Sequence, residues 1–92
     1  VYGKTGSYPS LYFYYIFKNL AKKGLLLTYQ VIQENKGKLL FLIEQNLNIK
    51  EKEVLMGEIK LYFKEDMAIE IKENTTLIKG KQKQQSFISN ID

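Results

Sequence analysis

Five consecutive apolar residues, LLFLI at positions 39–43, place the strongest limit on the fold of this chain. In an extended strand, successive side chains point to opposite faces, so this run would put three side chains on one face of a sheet and two on the other. A strand that is apolar on both faces is typical of the interior of a sheet. We therefore predict a central strand over residues 38–45 that is covered on both sides or nearly so.

A predicted helix and a predicted strand precede this run. Four apolar residues recur at helical spacing and form one buried stripe: Phe13, Ile16, Phe17 and Leu20. Ser10 can cap the start of this helix, and Gly24 suits a left-handed stop at its end. Residues 25–33 then alternate as a strand, and residues 34–37, with glycine late in the turn, predict a hairpin connection to the central strand.

A second helix and two strands are predicted after the central strand. Asn48 begins the helix, with Glu51 three residues later as in a capping box. Its apolar stripe consists of Leu55, Ile59, Tyr62 and Phe63. A third strand is predicted at about residues 67–72, then a polar loop over residues 73–85, and a short final strand at about residues 87–91.

These elements predict an α+β domain in the order α-β-β-α-β-β. The economical arrangement is a small, mainly antiparallel four-stranded sheet with both helices on one face. We expect residues 1–9, which contain Gly3, Gly6 and Pro9, to be an irregular lead-in or hinge segment. Residues 10–92 would then form a single domain.

The composition excludes several kinds of chemistry. Cysteine and histidine are both absent, so the chain holds no disulfide, no thiolate nucleophile and no Cys/His metal site. The net charge of +4 comes from fourteen lysines without arginine, against ten acidic residues. Because lysine lacks the planar fork that reads bases and clamps phosphate, nucleic-acid binding is not the leading hypothesis. The longest apolar run, residues 11–17, is far below the roughly 20 residues that cross a bilayer, so we expect a cytoplasmic protein with no membrane partner.

Two local motifs have structural alternatives. The triplet Gly3-Lys4-Thr5 resembles the end of a phosphate-binding loop, but that loop needs an earlier glycine and a preceding strand, and only two residues come before Gly3. A lead-in segment is the better interpretation. The aromatic residues of the first helix could stack on bases, but at helical spacing they are more often core, as we predict for Phe13 and Phe17. Tyr12 and Tyr15 could instead line a surface that meets another domain.

The most informative segment is TTLIKGKQK, residues 75–83. A polar loop that carries Gly80-Lys81 just before a last strand can present an ammonium group at its tip. Taken alone, the segment is better explained as a solvated run of lysines. The order of features around it adds weight: the strand sequence YQVIQ, a hairpin, an amphipathic helix, an IEI strand, and then GK before a closing FIS strand.

In this order and spacing, residues 10–91 resemble the C-terminal domain of the phenylacetate–coenzyme A ligase family, within the adenylate-forming superfamily. The nearest branch is that of the capsular polysaccharide biosynthesis proteins. The resemblance implies an enzyme that uses ATP to convert a carboxylic acid to an acyl-adenylate and then to a thioester with coenzyme A. ATP and its magnesium would be bound mainly by a large N-terminal domain of the same polypeptide, and the isolated small domain would be inactive.

The resemblance also implies roles for particular residues. Lys81 would be the catalytic lysine that reaches the reacting carboxylate and the α-phosphate oxygens. Gly80, Thr76 and Lys79 would support its loop, while Gly3 and Lys4 would lie at the hinge on which the domain turns. No metal ligand is expected in this domain.

Two further hypotheses stay open. The chain could be a stand-alone, ferredoxin-like binding module for RNA or protein, with no catalytic role. An RNA-binding sheet should show exposed aromatics at alternating strand positions, and Tyr29, Phe41 and Phe87 are the only aromatics in the predicted strands. Alternatively, the domain could serve only protein contact through Tyr12 and Tyr15.

Overall fold

Two helices and a four-stranded sheet make up the part of the chain, residues 1–77 and 87–89, that the computed structural model describes. The elements are α1 (Leu11–Lys22), β1 (Tyr29–Asn35), β2 (Lys38–Ile43), α2 (Ile49–Phe63), β3 (Ala68–Lys72) and β4 (Phe87–Ser89). A 3₁₀ turn, Lys64–Asp66, separates α2 from β3. The α+β class is confirmed, and apart from this turn the helices and strands follow the predicted order.

The sheet is mixed, so the prediction of a mainly antiparallel sheet is wrong. Its strand order is β3-β2-β1-β4. Only the β1–β2 hairpin is antiparallel, whereas β2–β3 and β1–β4 are parallel pairs. The reason lies in the connections: the 15-residue helix α2 returns the chain from the end of β2 to its beginning, and the next strand therefore runs parallel to β2.

Both helices pack on one face of the sheet. The buried stripe of α1 is as predicted, and α2 contributes Leu55, Ile59 and Phe63 to the same core. The sheet meets them with the odd-numbered positions of its strands, which are Val31, Leu39, Phe41 and Ile43. All four of these side chains are fully buried, so this layer is the main core of the domain.

The opposite face of the sheet carries a second, smaller cluster. Ile32, Leu42 and Leu77 are buried there, with Leu40 and Ile88 partly buried beside them. Strand β2 is therefore covered on both faces, and it lies between two other strands. The prediction of a central strand is confirmed.

The helix ends follow the sequence signals in two cases out of three. Asn48 and Glu51 form the predicted capping box, in which Glu51 N donates to Asn48 Oδ1 at 2.8 Å and Asn48 N donates to Glu51 Oε1 at 3.0 Å. Gly24 adopts a positive φ of 87° after α1, as the predicted left-handed stop requires. Ser10 does precede α1, but its hydroxyl makes no capping hydrogen bond.

Strand β1 begins at Tyr29, four residues later than predicted. Leu25 is still tied to the end of α1, because its backbone N–H donates to Leu20 O at 2.9 Å. Thr28 N donates instead to the side-chain oxygen of Gln45, at 2.8 Å. Residues 25–28 therefore form hydrogen bonds first with the end of α1 and then with Gln45, and regular strand pairing starts only after them. The predicted final strand extends to residue 91, and residues 90–91 lie outside the described part of the chain.

Candidate functional site

The first eight residues, which we call the N-terminal turn, are irregular but bonded to the sheet. Gly3 N donates to Gly6 O at 2.7 Å and closes the turn, while Gly37 N donates to Tyr2 O at 2.8 Å. The side chain of Gln33, which is fully buried, bonds to both backbone groups of Tyr2. The predicted lead-in thus has a defined position beside the start of β2.

Asp66, in the 3₁₀ turn, holds the other side of the N-terminal turn. Its Oδ1 accepts from Thr5 N and from Thr5 Oγ1, each at 2.8 Å, and its Oδ2 accepts from the Tyr8 hydroxyl at 2.9 Å. Burial alone would raise the pKa of Asp66, but the hydrogen bonds from Thr5 and Tyr8 outweigh it and hold the pKa below its ordinary value. The same bond to the carboxylate raises the pKa of Tyr8.

The two predicted hinge residues lie in this turn. Gly3 is buried, and a β-carbon added to it would overlap Asp66 Oδ2 and come within 2.8 Å of Tyr8 Cε2. Lys4 N donates to Asp66 O at 2.9 Å, and the stem of the Lys4 side chain passes over Gly37. Their role as a hinge stays a prediction.

The chain that leads toward the predicted lysine loop is anchored at the opposite end of β2. Thr75 N donates to Ile43 O at 3.1 Å. Glu73 accepts from Leu47 N at 2.5 Å through Oε2 and forms an ion pair with Lys52 through Oε1. The bond from Lys52 is the main cause that lowers the pKa of Glu73, against the effect of burial and with help from Leu47 N. This contact joins the start of the loop to the first turns of α2.

The predicted site residues are only partly within the described chain. Thr76 is exposed and lines a shallow depression of about 320 Å³ with Glu44 and Thr75. Gly3 and Lys4 lie beside the first residue of β2, whereas Thr76 lies beyond its last residue. The six-residue β2 spans about 17 Å, so the structure does not bring Gly3 and Lys4 together with Thr76. Lys79, Gly80 and Lys81 lie outside the described residues.

The strand aromatics do not form a platform for bases. Tyr29 stacks on Phe17 at 3.6 Å between ring centroids, and Phe41 and Phe87 each contact Phe13. All three strand aromatics therefore belong to the helix-covered face. We call the sheet face opposite the helices the open face. Across residues 1–77 and 87–89, the strands present no aromatic ring on it.

The aromatic surface of α1 differs from the one predicted. Tyr12 is half-buried and packs against Tyr8, Tyr62 and Phe63 at the junction with α2. The exposed pair is Tyr14 and Tyr15, whose rings contact edge to face at 5.8 Å.

In the described ranges, no group of three or more acidic, histidine or cysteine side chains is placed to hold a metal ion. The described helices also include none with the length and hydropathy needed to cross a membrane.

Comparisons with known proteins identify no relative: no family model, no curated protein and no solved structure matches the chain. The resemblance to acyl-activating ligases therefore depends on the sequence features given above.

No local pattern in the sequence marks Asp66, Glu73 or Gln33. Each of them bonds to a partner that is distant in the chain: Asp66 to Thr5, Glu73 to Lys52 and Gln33 to Tyr2. Local spacing rules cover only near neighbours, so no signal in the sequence could have found these contacts.

Proposed function

We propose that this chain is the mobile C-terminal domain of an ATP-dependent acyl-activating ligase. The carboxylate would attack the α-phosphorus of ATP to form an acyl-adenylate and release pyrophosphate, and the thiol of coenzyme A would then take the acyl group and release AMP. In this proposal Lys81 supplies the catalytic ammonium group, and Gly80, Thr76 and Lys79 support its loop. The large N-terminal domain of the same polypeptide would bind ATP, magnesium and the acid.

The observation that carries the proposal is the anchoring of the described residues on both sides of the loop. Leu77 is only 4% exposed and packs with Ile32 and Leu42 on the open face. Phe87 pairs with Val31 and contacts Phe13 at 5.1 Å. Binding and catalytic residues often lie on loops that a rigid, packed scaffold holds at both ends.

A lysine in this position suits the proposed reaction. During adenylation, negative charge builds on the oxygens around the α-phosphorus as the carboxylate attacks. An ammonium group placed near those oxygens in a closed site with little water stabilises that charge more than it stabilises the bound substrates. When the domain turns away, the same charge would leave the path that the thiol needs.

The first test is the coding sequence that surrounds these residues. We expect it to encode about 300 or more upstream residues with a Ser/Thr/Gly-rich phosphate loop, consistent with the size of a separate large domain. In that intact enzyme, Lys81→Ala should slow acid-dependent ATP–pyrophosphate exchange. The expected loss of transition-state stabilisation is about 2.5–4 kcal/mol. Thioester formation from preformed acyl-adenylate should change much less.

Lys83→Ala is the matched control, because it removes the same charge from the same segment. It should leave both half-reactions near the wild-type rates. Equal losses in the two half-reactions of Lys81→Ala, or equal effects of Lys81→Ala and Lys83→Ala, would remove the catalytic role from Lys81.

A second candidate function is a binding module without catalysis. The open face supports protein rather than RNA as its partner, because Leu40 and Ile88 are partly exposed there and the described strands offer no aromatic ring on that side. Filter binding to single-stranded RNA at low and high salt tests the RNA alternative, since a phosphate-driven complex weakens steeply as salt rises.

A further inference from the structure

Three lysines from separate parts of the chain line one depression at the end of α2. Lys4 comes from the N-terminal turn, Lys60 from the last turn of α2, and Lys64 from the residue that ends the helix. The depression has a volume of about 270 Å³. We call it the lysine pocket.

Apolar side chains also line the lysine pocket. Met56 and Ile69 are partly buried there, and Met67 is only 5% exposed. Methionine side chains are flexible and polarisable, and they adapt to flat or irregular apolar groups. The lining therefore combines apolar side chains, which can contact an apolar or aromatic group, with three lysines.

The three ammonium groups have few local counter-charges. None of the ion pairs formed within the described residues includes Lys4, Lys60 or Lys64. Glu65 is the one carboxylate that lines the pocket. Asp66 lies next to it in the chain, and its oxygens accept three hydrogen bonds from the uncharged groups of Thr5 and Tyr8, so its negative charge remains. Three ammonium groups therefore stand against two carboxylates. The pocket keeps an excess of positive charge.

The backbone at Lys64 is unusual for a lysine. Its φ of 53° and ψ of −133° lie in a region that favours glycine, which is also the residue most often found after a helix. Lys64 therefore occupies a position where glycine would stabilise the fold, and strained residues of this kind cluster at binding sites.

We propose that the lysine pocket binds a phosphate group attached to an apolar or aromatic moiety. Lysine is a common phosphate ligand as a point charge, and three of them compensate the two charges of a phosphomonoester. The volume is slightly below that of pockets that enclose a drug-sized ligand, so it fits the phosphate and one ring or short chain. This inference does not rest on the proposed function, since it involves neither Lys81 nor its loop.

The test is a titration of the isotope-labelled 92-residue chain with phenyl phosphate, inorganic phosphate and phenol, followed by NMR. We expect phenyl phosphate to shift the amide signals of Lys60 and Lys64 and the methyl signals of Met56 and Met67. The concentration of phenyl phosphate at half-saturation should be about fivefold lower than that of inorganic phosphate, because the ring is partly buried against the apolar side chains of the pocket. Phenol should bind far more weakly than phenyl phosphate.

The decisive variants are Lys60→Gln combined with Lys64→Gly. We expect this pair to weaken phenyl phosphate binding about tenfold. The control pair is Lys22→Gln with Lys50→Gln, which removes the same net charge elsewhere: Lys50 lies in the first turn of α2, at the end of the helix away from Lys64. This control should weaken binding by about twofold or less.

Lys64→Gly alone separates the site from general stability. Because glycine suits the positive φ, thermal unfolding of this variant should occur at a higher temperature than in the wild type while phenyl phosphate binds more weakly. The proposal is overturned if both variant pairs weaken binding equally, if the shifts spread over lysines across the whole surface, or if phenyl phosphate binds no better than inorganic phosphate.

Discussion

The side-chain amide of Gln33 brackets the backbone of Tyr2. Gln33 Oε1 accepts from Tyr2 N at 2.8 Å, and Gln33 Nε2 donates to Tyr2 O at 2.6 Å. The amide imitates a neighbouring strand and pairs the N-terminal turn to the sheet. Gln45 brackets Thr28 with the same two side-chain atoms: its Oε1 accepts from Thr28 N and its Nε2 donates to the Thr28 hydroxyl, and that pair is exposed to solvent.

The two brackets give a matched pair of substitutions. Gln33→Met keeps the side-chain volume and deletes its hydrogen bonds, which leaves the part-buried Tyr2 N without its partner, whereas Tyr2 O keeps the bond from Gly37 N. We expect a loss of about 1–3 kcal/mol in the free energy of unfolding. Gln45→Met should cost about 0.5 kcal/mol, because water replaces the lost bonds. Denaturant unfolding measures both values, and equal losses would show that burial does not determine the strength of the bracket.

Lys23, which follows α1, forms an ion pair with Glu58 of α2. We predict that the effects of substituting these two residues on the free energy of unfolding do not add. Lys23 Nζ lies 2.6 Å from Glu58 Oε1, and the Glu58 side chain is only 5% exposed. Its Oε2 is buried and has no hydrogen-bond partner among the described residues. Lys23→Met would leave this carboxylate unpaired, and we expect a loss of about 2 kcal/mol. This is less than for a fully buried pair, because the Lys23 side chain is 56% exposed.

The double variant Lys23→Met with Glu58→Met should recover most of that loss, since an apolar pair of similar size needs no counter-charge. Lys38→Met is the control, because Lys38 and Glu70 form an exposed pair at 3.9 Å. Its effect should stay within about 0.5 kcal/mol. A double variant less stable than Lys23→Met would mean that Glu58 contributes by another contact.

Two carboxylates predict how stability depends on acid. The pKa values of Asp66 and Glu73 are lower in the folded chain than their ordinary values of 3.8 and 4.5. The folded state therefore binds protons less readily than the unfolded state does. Both carboxylates contribute to the free energy of unfolding at pH values above these ordinary pKa values. That contribution is lost as the pH falls through the lower, folded pKa values.

Asp66→Asn and Glu73→Gln test this dependence. Each variant should be less stable than the wild type at about pH 7, and the difference should narrow in acid as the pH falls through the lowered, folded pKa values of the wild-type carboxylates. Denaturant unfolding at neutral pH and in acid checks the expectation. A difference of the same size at both would show that the lost bonds do not depend on the charge of the carboxylate.

The sequence predicted well those features that local physics determines. The stripe of α1, the capping box at Asn48 and the central position of β2 each follow from residues within a few positions of one another. The direction of β3 and β4 was not predictable in this way. An alternating strand has the same pattern whether its neighbour is parallel or antiparallel, so only the path of the connections decides.

The candidate site shows the same division. Sequence order alone places Thr76 before the last strand, whereas the anchoring of Leu77 and Phe87 to the sheet emerges only from the structure. The lysine pocket joins Lys4 to Lys60 and Lys64, and the distance in the chain between Lys4 and the other two hides their proximity. On their own, Lys60 and Lys64 read as part of the solvated face of a helix.

The last prediction concerns Gly3, which the resemblance assigns to the hinge. Its buried position leaves no room for a β-carbon beside Asp66 and Tyr8, whereas Gly6, in the same turn, has nothing within 4 Å of that position. Gly3→Ala should therefore destabilise the fold by about 1–3 kcal/mol through overpacking. Gly6→Ala should be neutral or slightly stabilising. Both substitutions restrict the unfolded chain equally, so the difference between their unfolding midpoints isolates the contact with Asp66. If the two variants unfold alike, the N-terminal turn separates from the domain at little cost, as a hinge at Gly3 requires.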